Sequence, residues 1–172
     1  PLHLHWGPWI RAGYPVASFF DADGTHLGPA FPTRSVQLGS GVTVARRVTL
    51  NALVEHRGGH HLESATLALL DLYANGGEDV IAPEAPENAV YAADFWRLRE
   101  LSLSWNVPTG SLRALPISAA TLTLGGRNLW RSQSYPGLEA EAQFSAGQVY
   151  GSQTYFDTPL PRQVTAGVNI HF

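Results

Sequence analysis

The last eleven residues of the chain, Arg162 to Phe172, alternate without a break between two kinds of side chain. The apolar set is Val164, Ala166, Val168, Ile170 and Phe172. A period of two predicts a β-strand whose two faces meet different surroundings. The run exceeds the ~5–6 residues of an average strand in soluble proteins and matches the ~9–11 residues of a tilted strand that crosses a bilayer. A sheet with one face toward lipid is therefore among the folds that this sequence allows.

Four further segments repeat the alternation, and a fifth does so more weakly. They are residues 35–45, 48–55, 95–107 and 119–130, with 14–20 as the weaker one. The connections at Arg46-Arg47 and at Pro108 to Ser118 are short, whereas the other connections are long. This order places all long loops at one end of an up-and-down sheet. The sequence predicts an all-β fold, an antiparallel up-and-down meander of about six strands, with long loops at residues 59–94 and 131–161.

One helical signal lies in the first of these loops. Leu62, Thr66, Leu69 and Tyr73 are spaced so that they share one face of a helix. We therefore predict a helix between Leu62 and Tyr73, outside the strands of the meander.

Composition narrows the class of protein. The net charge of −3 supplies no field that gathers polyanions, so nucleic acid is not an expected partner. Charged residues are 15% of the chain, below the ~25% of soluble domains, which fits a sheet that meets lipid. The sequence contains no cysteine, and this excludes disulfides, cysteine-ligated zinc, iron–sulfur clusters and thiol nucleophiles.

Three histidines close together raise the question of a metal site. His56, His60 and His61 flank Arg57-Gly58-Gly59, and zinc needs three or four converging ligands. The strand register puts His56 near the end of a strand and the other two histidines in a polar loop, so we assign no metal ligand. The glycines instead predict a tight exit from the strand in which glycine supplies a positive φ.

The sequence contains no arrangement that indicates catalysis. Asp21-Ala22-Asp23-Gly24 begins like a calcium loop, but Pro32 stands where the closing glutamate is needed. Nucleophile elbow, phosphate-binding loop and dinucleotide fingerprint are all missing. We therefore predict that the chain is not an enzyme and has no catalytic residue, metal or cofactor.

Five segments stand in an order and at distances that resemble one known family. They are Leu50 to His60 (LNALVEHRGGH), Asp94 to Trp105 (DFWRLRELSLSW), Leu122 to Trp130 (LTLGGRNLW), Tyr135 to Glu139 (YPGLE), and the ending from Pro161 to Phe172. Together they resemble the C-terminal part of a SusC/RagA-type TonB-dependent outer-membrane transporter, and the resemblance spans roughly residues 13–172. One departure is Glu139-Ala140-Glu141, where the family usually has Asp-Pro-Glu.

The resemblance implies that the chain is the end of a large transmembrane β-barrel in a bacterial outer membrane. Family members import large nutrients, typically oligosaccharides or peptides, with energy delivered through TonB. The implied partners are the rest of the same barrel and its plug, a SusD-like lipoprotein lid, TonB, the barrel-assembly machinery and outer-membrane lipid. No part of this sequence resembles the plug or the TonB-contacting segment of the family.

Two sets of residues are candidates for a functional role. Val164, Val168, Ile170 and Phe172 resemble the C-terminal signal by which outer-membrane proteins are recognised for assembly. Four aromatic residues of the last long loop could stack on a substrate, namely Phe144, Tyr150, Tyr155 and Phe156.

Two alternative interpretations remain open at this point. The chain could be a soluble all-β binding module, in which the apolar strand faces meet in a dry core, or a metal-dependent enzyme built around His56. Exposure of the apolar faces separates the first alternative from a barrel. If lipid is the solvent, one uncovered surface should contain Val48, Leu50, Val54, Leu101, Leu103, Val164, Val168 and Ile170.

Overall fold

The structure is a computed structural model that describes residues 18–21, 23–74, 89–108, 110, 116–141 and 153–172. Its ten strands and one helix follow the chain as β1 (Ser18–Phe20), β2 (His26–Pro29), β3 (Arg34–Val44), β4 (Val48–Gly58), β5 (His61–Ser64), α1 (Ala65–Ala74), β6 (Val90–Ala92), β7 (Phe95–Asn106), β8 (Ala119–Gln133), β9 (Gln153–Thr154) and β10 (Gln163–His171). Within the described residues, no helix is long and apolar enough to cross a membrane.

The five long strands form one sheet in the order β10-β8-β7-β4-β3. Each strand neighbours the long strand that precedes or follows it in sequence, which is an up-and-down meander. Strand β10 pairs with β8 in antiparallel fashion from Gln163 opposite Arg127 to His171 opposite Ala119, without a shift in register. The predicted all-β, antiparallel up-and-down fold is confirmed. In the described residues the sheet is open, with β3 and β10 at its edges.

A tight turn joins β3 to β4 at the predicted Arg46-Arg47 connection. The N–H of Arg47 donates to the carbonyl of Val44 across 3.0 Å. The two central residues, Ala45 and Arg46, have φ values of 50° and 56°, the positive sign that a type I′ turn requires at both positions. Such turns match the twist of hairpin strands, which explains a connection this short without the usual Asn-Gly.

The described residues fall into two compact units. The sheet unit comprises Val36–His56, Trp96–Ser132 and Pro161–Phe172, and the loop unit comprises the described parts of Pro1–Ser35, Arg57–Phe95 and Gln133–Leu160. The nine apolar side chains that are buried among the described residues all belong to the loop unit. One cluster of them contains Leu62, Ala93, Phe95, Tyr135 and Ala140.

The loop unit contains small sheets that alternation alone does not reveal. Strand β5 pairs antiparallel with β6 and parallel with β9. Of the weakest predicted strand, residues 14–17 lie outside the described residues, and Ser18–Phe20 pairs with β2 rather than joining the meander. All three of its residues are buried, so it lacks the two contrasting faces of the long strands. The predicted helix is present but begins at Ala65, because Leu62 belongs to β5.

Candidate functional site

One face of the sheet unit carries a ladder of hydrogen-bonded polar side chains. Neighbouring strands exchange these bonds from the edge strand β3 across β4 and β7 to β8. The pairs are Thr43 with Thr49 (3.0 Å), Asn51 with Ser102 (3.3 Å), Asn106 with Thr121 (2.9 Å), Ser104 with Thr123 (3.4 Å) and Glu100 with Arg127 (2.6 Å). A small cleft on this face is bordered by the Glu100–Arg127 ion pair and by Ser102, Gln163 and Thr165.

The opposite face of the same strands carries apolar side chains. In the β8–β10 pair, Val168 stands opposite Leu122 and Ala166 opposite Leu124, whereas the polar residues occupy the alternate positions. Of the eight side chains expected on an uncovered surface, Leu50, Leu103, Val164, Val168 and Ile170 are exposed, and Val48, Val54 and Leu101 are half-buried. This exposure agrees with a lipid-facing sheet and disagrees with the dry core that a soluble sandwich needs.

The residues of the candidate assembly signal lie on this apolar face at the edge strand β10. Val168 is 65% exposed and Phe172, just beyond the strand, is 88% exposed. Val164 and Ile170 share the same alternation and are also exposed. The structure thus places all four candidate residues at the C-terminal edge of the sheet.

An ion pair that the sequence did not indicate joins β4 to β7. The carboxylate of Glu55 is buried and accepts hydrogen bonds from the guanidinium of Arg99 and from the amide of Gln37, the latter across 3.3 Å. Arg97 is also buried. Burying a charge is unfavourable unless it is paired. The Glu55 carboxylate can therefore be buried here because Arg99 and Gln37 bind it. They lie far apart in sequence, and only the strand pairing brings them together.

The Arg57-Gly58-Gly59 segment forms the predicted tight strand exit. Gly59 has a φ of 72°, and a side chain there would overlap the hydroxyl of Thr33. The Gly59 N–H donates to the carboxylate of Asp94 across 2.7 Å, and Arg34 binds the other oxygen of that carboxylate at 3.3 Å. Asp94 therefore ties both ends of the 59–94 loop together, a role that sequence reasoning missed.

Of the three histidines considered as metal ligands, His56 has an environment of its own. The His56 ring stacks on Trp96, with ring centroids 4.5 Å apart, whereas His60 and His61 lie in the loop unit. Among the residues that the structure describes, no group of three or more histidine or acidic side chains could hold a metal ion.

The Tyr135 to Glu139 segment is a compact loop organised around one glutamine. The Gln133 side-chain amide donates to the carbonyls of Tyr135 (2.9 Å) and Gly137 (2.7 Å) and accepts from the N–H of Ala140. The Tyr135 hydroxyl is 2.6 Å from that of Thr154, and burial raises the pKa of Tyr135, which keeps the hydroxyl protonated. Glu139-Ala140-Glu141 stands here where the family usually has Asp-Pro-Glu. The carboxylate of Glu139 accepts a hydrogen bond from the N–H of Glu141 across 3.2 Å.

Gly137 is required because the Tyr135 ring lies directly over it. A Cβ at Gly137 would lie 2.6 Å from Cζ of Tyr135, closer than packing permits. We expect Gly137→Ala to lower the free energy of unfolding by about 1–3 kcal/mol, the usual cost of overpacking. Urea unfolding followed by tryptophan fluorescence measures it. The matched control is Gly110→Ala, because a Cβ there meets nothing within 4 Å; equal stability of the two variants would contradict the expectation.

Two of the four aromatic candidates can be located. Tyr155 and Phe156 are exposed and pack edge to face, with centroids 4.9 Å apart. The N–H of Phe156 donates to Oγ1 of Thr66 in α1. Phe156 has a φ of 49°, an uncommon conformation for a bulky residue that clusters at functional sites. Phe144 and Tyr150 lie outside the described residues.

A meander with an apolar face opposite a ladder of polar side chains is the arrangement found in the wall of an antiparallel β-barrel. The chain is similar to TonB-dependent receptor P3 of Formosa agariphila, with 30% identity over 108 residues, or 57% of this chain and 11% of that receptor. No family model matches the sequence.

Solved structures share the fold over nearly the whole chain. The RagAB peptide importer in its "open-open" state matches with a TM-score of 0.68 and 20% identity, covering 96% of this chain and 20% of that chain. Its "closed-closed" state matches with a TM-score of 0.62, also at 20% identity, covering 90% of this chain and 20% of that chain. These likenesses confirm the resemblance to a SusC/RagA-type TonB-dependent receptor. The relatives are named as a receptor and as an importer, in agreement with the prediction that the chain is not an enzyme.

Proposed function

We propose that this chain is a wall segment, with its loops, of a TonB-dependent transporter in a bacterial outer membrane. The observation that carries the proposal is the sheet unit, in which an apolar face is exposed and none of the described apolar side chains is buried. A sheet in water hides such a face against other protein, whereas a barrel wall presents it to lipid. The chain spans about a tenth of the length of the curated relative and a fifth of the length of the matched structure. The complete transporter to which it would belong is therefore itself proposed.

The open edges of the sheet support the proposal that further strands pair with β3 and β10. Backbone groups at β3 and β10 could not remain unpaired in hydrocarbon, and only closure of a barrel satisfies them. The rest of the same barrel is therefore the first partner. Its plug, TonB and the barrel-assembly machinery belong to the proposal, with Val164, Val168, Ile170 and Phe172 as the assembly signal.

The proposed cargo is a nutrient too large for a porin, either a peptide or an oligosaccharide, taken up with a SusD-like lipoprotein as lid. The matched structures are those of a peptide importer, which supports a peptide. Tyr155 and Phe156 are the described residues that we propose as a contact for this cargo, because both rings are exposed, they pack against each other, and Phe156 has an uncommon positive φ.

The orientation of the segment can be tested by labelling cysteines introduced into it, because none of its own residues is a cysteine, with the unsubstituted full-length protein as the labelling background. We propose that the loops at residues 59–94 and 131–161 face the cell exterior. In the full-length protein, Tyr73→Cys and Leu138→Cys should then react with a membrane-impermeant maleimide on intact cells. Both side chains are exposed in the structure.

The matched control is Arg46→Cys in the turn at the other end of the meander. It should react only after the outer membrane is permeabilised. If position 46 alone is labelled on intact cells, the segment has the opposite orientation. Recovery of the full-length protein in the soluble fraction would disprove a membrane barrel.

A further inference from the structure

Two neighbouring histidines of the loop unit are buried in a way that suits only their neutral form. His60 is 2% exposed, and Nδ1 of His60 and Nδ1 of His61 are both buried without a hydrogen-bond partner among the described residues. An imidazolium donates from both ring nitrogens. Protonation would therefore leave a buried donor unsatisfied, which is unfavourable.

The His61 ring also forms the contact between two strands of the loop unit. It lies directly over Gly28 of β2, where a Cβ would be only 2.9 Å from the ring carbon Cγ. The backbone of His61 pairs with Ala92 of β6. Strand β5 thus contacts both β2 and β6 at a residue whose charge can change within the physiological pH range.

The charged groups around the two rings compensate a proton only in part. Asp94 is the nearby carboxylate, and its oxygens already accept from the Gly59 N–H and from Arg34. Arg57 opposes a positive charge on His60, and His26 opposes one on His61.

The balance favours the neutral rings. Burial lowers the pKa of His60 and of His61 below the ordinary value of 6.5, while Asp94 raises it and the neighbouring cationic groups lower it further. When a site opens to water, its histidine regains the ordinary pKa and binds protons more readily than in the closed state. The stabilising contribution is therefore complete above pH 6.5 and is lost as the pH falls below that value.

We propose that His60 and His61 form an acid-sensitive switch, in which protonation of the rings releases β5 from β2 and β6 and opens this part of the loop unit. The switch is a property of the loop unit and goes beyond the proposed transport function.

Hydrogen exchange measured by mass spectrometry on the purified full-length protein tests the switch. Between about pH 7.5 and pH 5.0, the protection of amides in His61–Ser64 and Val90–Ala92, corrected for intrinsic exchange rates, should fall by about tenfold or more. Protection in β8 and β10 should change little. Because the readout is local, it does not depend on whether the protein transports a nutrient.

Neutral variants separate the switch from a general acid effect. The double variant His60→Gln with His61→Gln should lose the pH response, each single variant should keep part of it, and His171→Gln, at the edge of the sheet unit, should keep all of it. A wild-type protein with no local loss of protection, or a response that persists in the double variant, would overturn the proposal.

Discussion

Replacing Glu55 by alanine should lower the free energy of unfolding by about 3–5 kcal/mol, the cost of removing one partner of a buried ion pair. The side chains of Glu55 and Arg99 are only 2% and 16% exposed. Without the carboxylate, the Arg99 guanidinium stays in the sheet without this counter-charge, and Gln37 loses its acceptor. Urea titration of the protein in lipid vesicles measures the change.

The sheet contains its own control for this prediction. Glu100 and Arg127 also form an ion pair, but their side chains are 51% and 65% exposed. An exposed pair contributes about 0–1 kcal/mol, so Glu100→Ala should be nearly silent. Similar losses from the two substitutions would show that burial does not control the strength of these pairs.

The second large effect is expected at the apolar face of β10. Val168→Arg should lower the stability of the assembled barrel by about 2–4 kcal/mol if the residue lies near the bilayer midplane. Val168 stands opposite Leu122 and is exposed on the apolar face, so the arginine would enter hydrocarbon. The shift of the folded band on unheated gels, followed against urea concentration, gives the stability.

Asn169→Arg is the matched substitution one residue further along. Asn169 stands opposite Thr121, whose hydroxyl belongs to the polar ladder, so a charge there should have little effect. If both arginines are tolerated equally, the proposed lipid-facing register is incorrect.

The long strands were predictable because each carries its own signal. Residues 35–45 and 95–107 were expected as strands, and the structure has Arg34–Val44 and Phe95–Asn106. Alternation over about ten residues depends only on the period of an extended chain and on the contrast between its two faces. The alternation can therefore be recognised in the sequence without knowing which strand pairs with it.

The loop unit was not predictable in the same way. Its strands have two to four residues, too few for a period to appear, and the parallel pairing of β5 with β9 joins segments about ninety residues apart. Asp94 and Glu55 likewise acquire their roles from partners that are distant in sequence. Long-range contacts of this kind leave no local pattern.

Among the described residues of the sheet unit no apolar side chain is buried, and this bears on how such a sheet can change during evolution. Core residues of a packed domain are constrained in volume, because adding or removing even one methylene group there changes the stability of the domain. A side chain on the apolar face of this sheet needs chiefly to be apolar, and one on the polar face needs chiefly to hydrogen-bond, with the buried Glu55–Arg99 pair as an exception. Selection by polarity rather than by shape allows many substitutions in such a sheet, in keeping with a backbone that has a TM-score of 0.68 at 20% identity.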